Sequence, residues 1–167
     1  MLPAEIRERL EADIAASDHA RELAVDVMFA LQDHYGYLSD AAVADAAALL
    51  GMTTMEIEEL ATFYTFIYRE PVGSYVIHVC DSLVCMMEGG DTVLEHLSRR
   101  LGIGPGETTP DGLFSLLPVC CIGYCDRAPA MLVNRKVYGP LTPAALDDII
   151  DKLRTRNAAT REKAPES

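Results

Sequence analysis

The first part of the chain carries apolar residues three and four positions apart, which is the spacing of an amphipathic helix. Three such stretches lie within residues 1–70. Gly36 ends the first as a candidate C-cap, Ser39 can cap the second, and Thr53 with Glu56 forms a capping box for the third. We therefore predict a helical N-terminal domain. Its apolar stripes are Leu23, Ala24, Val27, Met28 and Leu31, then Val43, Ala46, Ala47 and Leu50, then Ile57, Leu60, Ala61 and Tyr64.

Four aromatic residues crowd the end of the third stretch: Phe63, Tyr64, Phe66 and Tyr68. A helix turns by about 100° per residue, so side chains this close together on one helix cannot all face the same core. We expect some of them to face the second domain or another subunit.

The pattern changes at Pro71, because a proline there cannot continue a helix. The residues that follow give the order β-α-β-β-α, which fits a small thioredoxin-like α/β domain over residues 71–156. From Asn157 the chain is polar, so residues 157–167 are expected to form a disordered tail. The predicted elements are strands 74–79 and 113–119, a helix over 91–101, a hairpin of 130–134 with 136–138, and a helix that starts at Thr142 and Pro143.

Composition and charge narrow the function classes. Half of the 167 residues are apolar, as in a globular protein, and the net charge is −12. This charge argues against binding to nucleic acid or to an anionic membrane surface. No apolar run has the length of a bilayer span and no N-terminal targeting segment is visible, so a cytoplasmic protein with no direct membrane insertion is expected.

All five cysteines lie in two short segments, each directly after a β-like apolar run. Cys80 and Cys85 give C-x4-C, and Cys121 and Cys125 give C-x3-C, with Cys120 beside them. An odd cysteine count without a signal peptide argues against disulfides, and no pair has the C-x-x-C spacing of a redox dithiol. Spacing alone leaves two options open, a structural zinc and an iron–sulfur cluster.

Four separated motifs carry a family resemblance. They are Ala61-Thr62-Phe63-Tyr64, Arg69-Glu70-Pro71-Val72-Gly73, the segment from Cys80 to Cys85, and the segment from Leu117 to Asp126. In this order and spacing, over residues 15–155, the chain resembles the small [2Fe–2S] subunit of bacterial NADH–quinone oxidoreductase (respiratory complex I). The same family supplies small subunits to NAD-linked hydrogenases and formate dehydrogenases. The resemblance implies a thioredoxin-like [2Fe–2S] ferredoxin domain after an N-terminal helical bundle.

The resemblance also implies the ligand set Cys80, Cys85, Cys121 and Cys125. Adjacent residues that leave a strand point to opposite faces, so only one of Cys120 and Cys121 should reach the cluster, and spacing does not decide which. With Cys121 taken as the ligand, Cys120 is expected to be a buried apolar thiol. His78, two residues before Cys80, is expected to be a half-exposed strand histidine.

The implied function is electron transfer without catalysis by the chain itself. A partner flavoprotein subunit would bind NADH and FMN, and the cluster would accept single electrons from the flavin. Further peripheral-arm subunits would hold the chain at the inner face of the cell membrane. A dinucleotide fingerprint, a phosphate loop and an acid–base constellation are all missing from the sequence, as this role requires. The alternative from another class is a zinc-stabilised interaction module.

Overall fold

The computed structural model describes residues 2–163, with side chains to residue 159. The chain divides into two compact units, Met1–Val72 and Gly73–Ser167. The division falls two residues after the boundary placed before Pro71. Within the described residues, no helix is both long enough and apolar enough to cross a bilayer.

The first unit is helical and follows the local signals in its sequence. Gly36, at the C-cap, has a φ of 85°, a left-handed conformation that glycine adopts without strain. The Ser39 Oγ accepts a hydrogen bond from the Ala42 N–H, and Thr53 and Glu56 form the expected capping box. The elements are α1 (Ala4–Ala16), a 3-10 turn (Ala20–Leu23), α2 (Ala24–Tyr35), α3 (Asp40–Leu50) and α4 (Thr54–Phe63).

The apolar stripes of these helices meet in one core. Met28, Leu31 and Ile57 are fully buried there, each with 0% of its surface exposed. Short helices are marginal alone, so this shared core supplies most of the stability of the unit. The predicted stripes are confirmed, except that Leu23 belongs to the 3-10 turn before α2 and Tyr64 lies just after α4.

Only Phe63 of the four aromatic residues is helical, because α4 ends there. The segment that follows is held by side chains of other elements. The Gln32 Nε2 donates to the Phe66 carbonyl over 2.9 Å, and the Gln32 Oε1 accepts from the Tyr68 N–H over 2.6 Å. Phe63 stays 78% exposed and stacks edge-on against Tyr64. The prediction that placed the four aromatics on one helix was therefore wrong.

The second unit is a four-stranded sheet with helices. Strand β1 is central, pairs in parallel with β2 and antiparallel with β3, and β4 pairs antiparallel with β3, so the strand order is β2-β1-β3-β4. This mixed α/β fold is the predicted thioredoxin-like class. Its elements are β1 (Tyr75–Cys80), α5 (Leu83–Met87), α6 (Gly90–Leu101), β2 (Phe114–Val119), a 3-10 turn (Cys125–Arg127), β3 (Met131–Val133), β4 (Lys136–Tyr138) and α7 (Pro143–Lys163).

Helices α6 and α7 cover the apolar side chains of the sheet. Ile77 of β1, Leu97 of α6 and Ile150 of α7 share one buried core, and each is 0% exposed. The predicted start of the last helix is confirmed, since the Thr142 Oγ1 accepts from the Ala145 N–H. Part of the segment expected to be a disordered tail is helical, since α7 continues through residues 157–163, where Ala158 and Ala159 are strong helix formers. Residues 164–167 of that expected tail lie outside the described residues.

Candidate metal centre

The strand register brings the two cysteine segments to the same edge of the sheet. Parallel β1 and β2 end level with each other, with Cys80 opposite Val119. The Asp81 N–H donates to the Val119 carbonyl over 3.0 Å, and the Cys80 N–H donates to the Ala130 carbonyl over 3.2 Å. Residues that follow these two strand ends therefore lie together, although about forty positions separate them in the sequence.

The first cysteine pair is buried. Cys80 is the last residue of β1, and Cys85 lies in the short helix α5, which the sequence pattern did not indicate. Each is 2% exposed, and they pack with Ala130. The backbone of α6 approaches closely here, since a Cβ at Gly90 would lie 2.8 Å from the Cys85 carbonyl oxygen.

The second cysteine pair is exposed. Cys121 follows β2 in an irregular segment, Cys125 begins the next 3-10 turn, and their Sγ atoms are 3.5 Å apart. Gly123 lies between them with a φ of 78°, and its N–H donates to the Cys121 Sγ over 3.4 Å. A backbone donor aimed at a sulfur is what an anionic thiolate cluster requires, as expected for this glycine.

The electrostatics of the two pairs differ. Burial raises the pKa of Cys85, and its hydrogen bond with Cys80 raises this pKa further. The Gly123 N–H lowers the pKa of Cys121, while the hydrogen bond to Cys121 raises the pKa of Cys125. Cys80 also lowers the pKa of Cys121, so it influences a thiol of each pair.

The donor set suits a dinuclear cluster. Four thiol sulfurs from two neighbouring segments, with one backbone N–H already directed at a sulfur, are what an all-cysteine [2Fe–2S] centre needs.

Two expectations near the site were wrong. Cys120 is exposed and not buried, because β2 ends at Val119 and the chain leaves the sheet before this residue. His78 is 0% exposed and not half-exposed, because β1 is an inner strand with a neighbour on each side. This burial lowers the pKa of His78 to about 4.

Helix α5 also presents an apolar surface that the sequence pattern did not indicate. Around the buried Cys85, Leu83 is 71% exposed and Met87 is 77% exposed, with Val84 and Met86 at 41% and 48%. The segment is too short for a periodic signal, so only the fold shows which of its residues face outward.

A sequence profile of the thioredoxin-like [2Fe–2S] ferredoxins matches residues 10–154, which includes every cysteine. The chain belongs to this family. Its cofactor is accordingly a [2Fe–2S] cluster, which removes the zinc alternative, and its role is electron transfer.

Curated relatives of this ferredoxin are parts of a larger oxidoreductase. The chain is 36% identical over 145 residues to the E subunit of the NADH-quinone oxidoreductase of Pseudomonas aeruginosa, which covers 87% of each chain. It is also 36% identical over 153 residues to the corresponding E subunit of Escherichia coli K12, which covers 92% of each.

A solved structure is similar as well. A crystal structure of an NAD⁺-reducing [NiFe]-hydrogenase in the air-oxidized state matches with a TM-score of 0.68 and 29% identity. The match covers 78% of this chain and 23% of the hydrogenase chain. The ferredoxin is thus a subunit in a multisubunit oxidoreductase.

Proposed function

We propose that this ferredoxin is the small electron-transfer subunit of an NADH-quinone oxidoreductase, with its cluster held by Cys80, Cys85, Cys121 and Cys125. The observation that carries the assignment is the 36% identity to two E subunits of such complexes over almost the full length of both. The parallel register of β1 and β2 supports the ligand set, because it places both cysteine pairs at one edge of the sheet.

The chain would bind and position the cluster without catalysing a reaction. Cys80 and Cys85 would anchor it from the protein interior, and Cys121 and Cys125 would hold it from the exposed loop. The N–H of Gly123 would donate to a thiolate sulfur and stabilise the negative charge. When bound, the cluster accepts and releases one electron at a time.

The electron donor would be the FMN of a partner flavoprotein subunit that also binds NADH. NADH releases two electrons together as hydride, whereas the cluster takes one, so a flavin has to divide the pair. The apolar face of α5 supports docking of this partner beside the cluster, because Leu83 and Met87 are mostly exposed on both sides of Cys85. An interface that excludes water there would bring the donor within reach of the cluster.

The complex would place the chain on the cytoplasmic side of the cell membrane, held by further peripheral-arm subunits. The described residues include no membrane-spanning helix, so attachment would come from those partners.

A second candidate is the same role in an NAD-linked hydrogenase. The similarity to the NAD⁺-reducing [NiFe]-hydrogenase structure favours this alternative. Purification of the native assembly distinguishes the two, because quinone-reducing membrane subunits or a nickel-containing subunit would accompany the chain.

Reduction of the cluster by two donors tests the proposal. The isolated chain should be reduced by dithionite, with a rhombic one-electron EPR signal, and should stay oxidised with NADH alone. All-cysteine [2Fe–2S] clusters of the plant type lie near about −400 mV, and no flavin is present to split the hydride. Addition of the flavoprotein subunit should let NADH electrons reach the cluster. Rapid bleaching by NADH in the flavin-free chain would contradict the proposal.

A further inference from the structure

The exposed cysteine pair has the geometry of a dithiol even though its spacing is not C-x-x-C. The Sγ atoms of Cys121 and Cys125 are in contact at 3.5 Å, both residues are exposed, and Gly123 forms the bend between them. A disulfide needs the sulfurs at about 2 Å, so the two side chains have to approach by about 1.5 Å from this contact.

The other cysteines are placed differently. Cys80 and Cys85 are each 2% exposed, so a small solute cannot reach their sulfurs without opening the sheet edge. Cys120 is exposed as well, but the sulfur–sulfur hydrogen bond to Cys125 comes from its neighbour Cys121. Of the five thiols, the pair Cys121 and Cys125 is therefore both exposed to solvent and in sulfur–sulfur contact.

We propose that, in the chain without its cluster, Cys121 and Cys125 form a thiol–disulfide exchange site for low-molecular-weight disulfides, and that the resulting bond must be reduced before a cluster can be built. This extends the proposed function, because Cys121 and Cys125 would have a second role when no cluster is bound. The need to reduce the bond before cluster assembly rests on the proposed ligand set, whereas the exchange reaction does not.

The exchange balances in two steps. The Cys121 thiolate attacks one sulfur of the small disulfide, which forms a mixed disulfide and releases one small thiol. Cys125 then attacks the Cys121 sulfur, forms the internal bond and releases the second small thiol. The chain loses two electrons and two thiol hydrogens, and the small disulfide is reduced to two thiols. The contact at 3.5 Å favours the second step over attack by another small molecule.

Oxidised glutathione is the probe for the test. A chelator removes the cluster from the full chain under reducing, anaerobic conditions, and the chain is then desalted. It is treated with oxidised glutathione in native buffer, and its free thiols are counted after denaturation. The count should fall from five to three. Chymotrypsin cleaves after Tyr124, so the fragments that carry Cys121 and Cys125 should stay joined until a reductant is added.

Two single variants keep the test decisive. In Cys125→Ser, glutathione should remain attached at Cys121 because no partner thiol displaces it. In the matched control Cys120→Ser, the internal bond should form as in the wild type. An internal bond that includes Cys120, Cys80 or Cys85, or two bound glutathiones in the wild type, would overturn the proposal.

On addition of iron and sulfide, the oxidised chain should take up iron at an initial rate at least about tenfold lower than the reduced chain, because sulfide has to open the bond by exchange first, and dithiothreitol should restore the rate. Equal initial rates would overturn the claim that the bond must be reduced. The cluster-bound chain supplies the separate check. Its thiols should resist glutathione, and loss of two thiols with the cluster intact would contradict the ligand assignment while leaving the exchange site in place.

Discussion

The two cysteine pairs lie at the same edge of one sheet, yet they differ in what surrounds their sulfurs. Cys80 and Cys85 are 2% exposed and pack against Ala130, whereas Cys121 and Cys125 are open to solvent. The first pair follows an inner strand and continues into a helix, and the second follows an edge strand and enters a loop. A cluster bound between them would thus have a buried side, held by cysteines of the packed core, and an exposed side, held by cysteines of the segment after β2.

This difference predicts unequal effects of ligand substitution. Serine at Cys80 or Cys85 should abolish the cluster, because a buried hydroxyl replaces a thiolate where the packed backbone cannot adjust. Serine at Cys121 or Cys125 should perturb the cluster strongly but leave part of the iron bound, because the exposed segment around these residues can adjust to the replacement. Iron and sulfide analysis measures both effects. Full iron content in Cys80→Ser would contradict the buried anchor.

The buried side should also depend on core packing. Ile77 of β1 is 0% exposed and lies three residues before Cys80. Its replacement by alanine should lower the free energy of unfolding by about 2–5 kcal/mol, because a cavity remains in the core. Urea unfolding measures this, and Val137→Ala on β4, where the side chain is 38% exposed, is the matched control. Equal costs for the two variants would show that β1 does not anchor the site.

The buried side should in addition be sensitive to acid. Burial lowers the pKa of His78 from 6.5 in the unfolded chain to about 4. The neutral imidazole therefore favours the fold above pH 6.5, and this contribution is lost as the pH falls from 6.5 towards 4, with roughly 1 to 2 kcal/mol lost by about pH 5.5. NMR of the four histidines should show one midpoint near 4. A midpoint near 6.5 for His78 would contradict its burial.

The smallest effect on the cluster is expected from a substitution in the helical unit, which contains no cysteines. Thr53→Ala removes the acceptor for the Glu56 N–H and should cost about 1 kcal/mol of stability. The visible spectrum of the cluster should not change. Thr54→Ala, at the exposed first position of the same helix, is the control for the change in side chain. A loss of cluster absorption in Thr53→Ala would show that the metal centre depends on this cap.

Features with short-range causes could be predicted from the sequence. The caps at Gly36, Ser39 and Thr53 depend on residues three or four positions apart, and the structure contains all of them. The position of the cysteine pairs at strand ends could also be predicted, because each pair directly follows an apolar strand-like run.

Features set by distant partners could not be predicted in this way. The burial of His78 and the exposure of Cys120 depend on which strand is central and where β2 ends. The segment after α4 is fixed by Gln32, more than thirty residues earlier in the chain. Helix α5 is too short to show a period, so neither its existence nor its exposed apolar side chains could be read from the pattern.

The ligand set is tested most sharply by a comparison of two adjacent cysteines. Cys120 and Cys121 are both exposed and follow the same strand, so serine at either position makes nearly the same chemical change. Iron and sulfide analysis with EPR of the dithionite-reduced chain should show an intact [2Fe–2S] cluster in Cys120→Ser and a lost or strongly altered one in Cys121→Ser. An intact cluster in Cys121→Ser together with its loss in Cys120→Ser would contradict the ligand set on which the account depends.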